Sequence, residues 1–159
     1  MTCLLGACGF QLRGTGDDGT NIPDSWKSMQ LVTGNPNGEF SREVQTRFAA
    51  NGVEWTSREK ANYRLMLGPE RFSRRNLSLN AEARAAEFEL TMRAQFSVRD
   101  ADNNDVIETT EVSTIRQMEN DPRNVVGKSE EIRILKSEMR TDLAQQIMRR
   151  IGFFAAGTN

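Results

Sequence analysis

Histidine is absent from the 159-residue chain, which removes the commonest general base at neutral pH and the commonest zinc and copper ligand. Cysteine is nearly absent. The only two, Cys3 and Cys8, stand close together near the N-terminus, where a bridge between them would order little of the fold. A charge excess is lacking too: 21 Lys and Arg stand against 22 Asp and Glu, so no global field draws the chain towards nucleic acid. Any basic site must be local. No apolar run approaches the roughly 20 residues needed to span a bilayer as a helix, so membrane attachment must be covalent or peripheral. No Ser, Cys or Lys has a visible base partner, and Glu87 and Glu89 read as one face of a solvated strand. The sequence therefore proposes no reaction, no cofactor and no metal, and the chain reads as a non-enzyme.

What is present fits one domain of ordinary size. Leu5-Gly6-Ala7-Cys8 matches the bacterial lipobox, an apolar residue and two small residues before a cysteine that receives diacylglycerol. Two or three acyl chains hold a protein on a bilayer far more firmly than one, at about 0.8 kcal/mol per buried methylene. Residues 1–7 are then expected to be the remnant of a signal peptide whose beginning is missing, and Cys8 the lipidation site. A chance match and a Cys3–Cys8 disulfide are the other readings. Residues 8–25, rich in Gly, Asp and Thr, read as anchor and flexible linker, residues 26–152 as the domain and 153–159 as a tail.

Within the domain, Lys27, Met29 and Leu31 alternate with polar residues as a first strand ended by Gly34 to Gly38. Phe40, Val44 and Phe48 recur on one face, and Asn51-Gly52 supplies a stop, predicting a helix over Glu39 to Asn51. Tyr63, Leu65 and Leu67 mark a second strand that Gly68-Pro69 makes an edge or a bulge. The clearest periodicity runs from Ala86 to Arg99, a half-buried strand of roughly 40 Å at about 3.3 Å per residue. It returns through a turn at Asp100 to Asp105 into a fourth strand over Val106 to Ile115. Ser129 is expected to cap a second helix with the stripe Ile132, Leu135, Met139, Leu143, Ile147 and Ile151, ended by Arg149, Arg150 and Gly152. The predicted class is α+β: a two-layer sandwich in β-α-β-β-β-α order, its four-stranded sheet carrying two helices on one face.

Three local patterns bear on binding. Gly127-Lys128-Ser129 before a helix resembles the end of a phosphate loop, but the motif's first glycine position holds Pro122; what survives is a lysine beside a helix N-terminus, which favours an anion. Asp100, Asp102, Asn104 and Glu111 fall on EF-hand ligand spacing, yet Asp105 stands where glycine is needed and Glu111 belongs to a strand, so a polar hairpin turn is the reading. Arg71, Arg74 and Arg75 surround Phe72, Leu77 and Leu79, either as a solvated loop or as a surface for an amphiphile with arginine on phosphate.

Several short segments resemble one family in order and spacing. They are Cys8-Gly9-Phe10-Gln11-Leu12-Arg13, Asn35-Pro36-Asn37-Gly38 with Ser41-Arg42, Asn51-Gly52-Val53-Glu54, Ala86-Glu87-Phe88 and Asp121-Pro122. Together, from Cys8 to about Ile151, the chain is similar to the LptE family of lipopolysaccharide-assembly lipoproteins. The resemblance implies acyl chains on Cys8 in the outer membrane, on its periplasmic side, and a domain inside the lumen of an LptD-like β-barrel. It also implies that the chain plugs the barrel, assists its assembly and binds lipopolysaccharide. The family's functionally important lysine falls on Lys128, while its second basic position falls on Ala81, leaving Arg74, Arg75 and Arg84 as candidates for that charge. The alternative from another class is a free periplasm-facing lipid-binding lipoprotein.

Overall fold

Period-two alternation in the longest strand fixes which side of the sheet is dry. In the computed structural model, which describes residues 22–79, 85–119 and 125–157, β5 (Ala85–Asp100) buries Phe88, Leu90, Met92, Ala94, Phe96 and Val98, and leaves Glu87, Arg93 and Gln95 exposed. It pairs antiparallel with β6 (Asp105–Glu119) over nearly its whole length. The hairpin turn is closed by the Asp100 carboxylate, which accepts the Asn104 backbone N–H at 2.8 Å, and by Asn103 in the left-handed region at φ 73°.

The other edge of β5 is shared. β3 (Tyr63–Leu67) pairs antiparallel with its C-terminal half and β4 (Arg71–Leu79) with its N-terminal half, so the two form one long strand broken at Gly68, Pro69 and Glu70. The break is close-packed. The Gly68 N–H donates to the Gln95 carbonyl at 2.9 Å, and a Cβ at Gly68 would stand 3.1 Å from that same oxygen. β1 (Ser28–Thr33) continues the sheet parallel to β3, and β2 (Glu54–Trp55) adds two residues beyond it. The sheet thus has six strands, which corrects the four expected. β2 is too short to show a period, and the apolar residues of β4, Phe72, Leu77 and Leu79, do not alternate regularly, its register shifting after Asn76. An edge strand needs less apolar surface than a central one, so its sequence alternates less. The expected bulge at Gly68-Pro69 is present, but β3 itself lies between β1 and β5.

The α+β class with two helices stands. α1 (Glu39–Ala50) buries Phe40, Val44 and Phe48, and ends in a Schellman motif: Gly52 N–H bonds to Ala49 O and Val53 N–H to Phe48 O, both at 3.0 Å. That geometry needs the positive φ of 84° at Gly52. α2 (Val125–Gly157) is longer than the pattern implied, beginning before Ser129 and running through Gly152. Met139, Leu143, Ile147 and Ile151 are fully buried, as the stripe predicted, and the buried Ala155 carries the same stripe one turn further, which is why Gly152 does not stop it. Arg140 of α2 binds Glu39 of α1 at 2.8 Å and Glu70 of the strand break at 3.1 Å, fastening three elements at one point. At the other end Ile22 is already in the core, ahead of the stacked Trp26 and Tyr63 rings, whose centroids lie 3.8 Å apart.

Candidate functional site

Register decides which side chains of β4 share the helix-facing side. Phe72 lies opposite Met92, Arg74 opposite Leu90 and Asn76 opposite Phe88, so Phe72, Arg74 and Asn76 project towards α2 while Arg71, Ser73 and Arg75 face away. α2 packs on β6 and β5, leaving β4 as the sheet's margin. α2 and β4 therefore flank the rings of Phe88 and Phe72 on the helix-facing side of the sheet.

Two cations meet on one of those rings. The Arg74 guanidinium lies 4.6 Å from the Phe88 ring centroid and the Lys128 ammonium 5.7 Å from the same centroid, within cation–π range. Phe88 is only 8% exposed, so both long side chains cover the edge of the core with their charged heads over its ring. Two turns along α2 the pattern recurs, with the Lys136 ammonium 4.3 Å from the Phe72 centroid. Among the described residues no carboxylate pairs with Arg74, Lys128 or Lys136. Several acids of α1, α2 and the strand break are engaged elsewhere: Glu130 with Arg133, Glu39 and Glu70 with Arg140, and Asp142 with Arg116. α2 has no acid in its first turn, so the positive end of its dipole adds to the same field.

Of the residues singled out in the sequence, Arg74 and Lys128 are therefore brought together from segments more than fifty positions apart. Lys128 stands within α2, not in a loop ahead of it, and Gly127 to Ser129 are helical, which removes the phosphate-loop geometry. Arg75 is directed to the opposite face, where its Nε and Nη2 donate to the two carboxylate oxygens of Glu89 at 2.7 and 2.9 Å. Those hydrogen bonds hold the Glu89 carboxyl below the usual glutamate range and raise Arg75 further. Arg84 and Cys8 lie outside the described residues. Lys136 was not legible as a site residue, because one lysine on a long helix reads as solvated surface.

Concavities lie elsewhere: one of about 260 Å³ between α1 and α2 is lined by Glu39, Arg42, Glu43, Arg133 and Arg140. A cleft of about 340 Å³ beside the strand break, lined by Val32, Met66, Gln95, Phe96 and Thr109 among others, holds no ionisable group. Among the described residues no three Asp, Glu or Cys side chains gather as a metal site.

Comparison with known proteins converges on one family. The model described as LptE, Lipopolysaccharide-assembly, matches residues 26–151. The LPS-assembly lipoprotein LptE of Yersinia pestis (strain Pestoides F) is 26% identical over 162 residues, covering 95% of this chain and 74% of that protein. The crystal structure of rare lipoprotein B from Shewanella oneidensis is 26% identical with a TM-score of 0.73, over 82% of this chain and 97% of the other. Lipoprotein B from Nitrosomonas europaea, 22% identical with a TM-score of 0.75 over 93% of each chain, shares the fold.

Proposed function

The chain belongs to the LptE lipopolysaccharide-assembly family, and from that premise we propose that it is a non-enzymatic lipoprotein of the outer membrane that plugs an LptD-like β-barrel, assists its assembly and binds lipopolysaccharide in transit. Family membership supports the role in lipopolysaccharide transport and outer-membrane assembly. The observation that carries lipopolysaccharide binding is the pair of cations, Arg74 and Lys128, set on Phe88 with no described carboxylate between them. Lipopolysaccharide carries phosphate groups, which the neighbouring guanidinium and ammonium groups of Arg74 and Lys128 suit. Arg84, in the connection between β4 and β5, is positioned in sequence to add a further charge; Arg75, held by Glu89 on the far face, is assigned to structure.

The sheet face turned away from the helices supports placement inside a barrel. Arg93, Gln95, Glu111 and Ser113 are exposed there, a polar surface suited to a hydrated lumen. Acyl chains on Cys8 would hold the domain beside its barrel from the periplasmic side. Tagged, lipidated chain recovered from envelope extracts is expected to bring down a large β-barrel in stoichiometric amount and to carry lipopolysaccharide. Recovery of lipid with no barrel would mean a free lipid-binding lipoprotein instead. Recovery of neither would end the proposal.

A further inference from the structure

On the sheet face turned away from the helices, two arginines stand directly opposite each other where β4 begins. Arg71 is the register partner of Arg93, both are exposed, and neither is ion-paired among the described residues. Side chains opposed in this way have Cβ atoms about 5 Å apart, and like charges there repel. The two line a cavity of about 230 Å³ with Gly68, Pro69, Gln95 and Glu111. Glu111 lies opposite Gln95 and so diagonal to Arg93, bringing one carboxylate against two guanidinium groups. The cavity keeps a net positive charge.

The cleft of about 340 Å³ beside the strand break adjoins it, sharing Gly68 and Gln95, and takes its apolar lining from Val32, Met66, Leu67 and Phe96. Along β5 the charged cavity runs from Arg93 to Gln95 and the apolar one from Gln95 to Ser97, so their centres stand about 7 Å apart. Side chains i and i+2 of an extended segment have that separation and point the same way. Resting on the barrel reading above, we infer that the two cavities seat a strand of the barrel's inner wall. An Asp or Glu carboxylate of that strand bridges Arg71 and Arg93, each guanidinium fork taking carboxylate oxygen, and an apolar side chain two residues along fills the cleft. Every second residue of a barrel strand faces the lumen, so the wall presents such a pair without bending. A lipid phosphate would meet the same charge, but a single cleft beside it suits one side chain and not a set of acyl chains.

A photo-crosslinking residue in place of Gln95, which both cavities share, tests this in the full lipidated chain in the envelope. The adduct is expected on a barrel strand, within two residues of an Asp or Glu. Arg71→Glu together with Arg93→Glu should lower barrel recovery about tenfold, and reversing the mapped carboxylate to lysine should restore it. In the free full chain Arg93→Gln should raise the urea midpoint at low salt, because it removes a like-charge contact, while lowering barrel recovery. A part in the fold alone would move both downwards. An adduct on lipopolysaccharide or on another protein, a mapped strand with no carboxylate in reach, or undiminished barrel recovery by the folded double variant would each overturn the seat. Wild-type chain that recovers no barrel at all would remove the plug reading and this seat with it.

Discussion

Neighbouring residues in β4 have opposite assignments, and the difference is one of register alone. Arg74 shares the helix-facing side with Phe88; Arg75 turns outward to Glu89. Arg75→Ala is therefore expected to leave lipopolysaccharide affinity within about twofold, whereas Arg74→Ala weakens it by about tenfold. The same substitution has a titration signature. Because the folded Glu89 value is depressed below its ordinary 4.5, chiefly by hydrogen bonds from Arg75, the pair's contribution to stability is complete above that ordinary value and fades as pH falls through the lowered one. Carboxyl-carbon NMR should show the Glu89 midpoint rising in Arg75→Ala, and the urea midpoints of wild type and variant should converge on acidification. An unshifted Glu89 midpoint would show that the pair does not persist in solution. None of this could be seen in the run Arg71 to Leu79, where a loop and an edge strand look alike.

Elements with a strong period were legible and those without one were not. Helix α1 was placed to within one residue, because Phe40, Val44 and Phe48 mark its buried face and Asn51-Gly52 its end. Its stop rests on a left-handed glycine whose added Cβ would meet only the flexible Lys27 side chain, at 3.4 Å. Gly52→Ala should thus cost about 1 kcal/mol through backbone conformation and not through collision, read as a lower unfolding midpoint in urea. A neutral effect would mean that the Schellman turn is not fixed. Strand β5 was equally plain, since alternation over Phe88 to Val98 admits only one face. Strand β4 escaped notice because a margin strand whose inward positions are Phe72, Arg74 and Asn76 buries little, and the register shift beyond Asn76 breaks what alternation remains. That missed strand is the one that carries half of the site. The ends of α2 were misjudged for a related reason: Gly127 and Gly152 read as boundaries, whereas packing of Met139 through Ile151 and Ala155 holds the helix across the second of them.

At the scale of the whole molecule, the near-zero net charge, which left room only for a local basic site, conceals a division of labour. Glu89, Glu39, Glu70, Glu130 and Asp142 are each paired with an arginine, whereas Arg74, Lys128 and Lys136 have no carboxylate partner among the described residues. The lipobox and the absence of histidine pointed to a tethered non-enzyme; the site proposed for a phosphorylated amphiphile is the pair Arg74 and Lys128 over Phe88. Lys128 could be proposed from sequence, but its convergence with Arg74 on Phe88 is a property of three elements assembled together. The most direct measurement compares lipopolysaccharide binding by the full wild-type chain with that of the double variant Arg74→Ala, Lys128→Ala, with urea unfolding run on both. Affinity should fall by about a hundredfold or to background, two charge-assisted contacts together, while the unfolding midpoint stays nearly constant. Undiminished binding by a folded double variant would contradict the site.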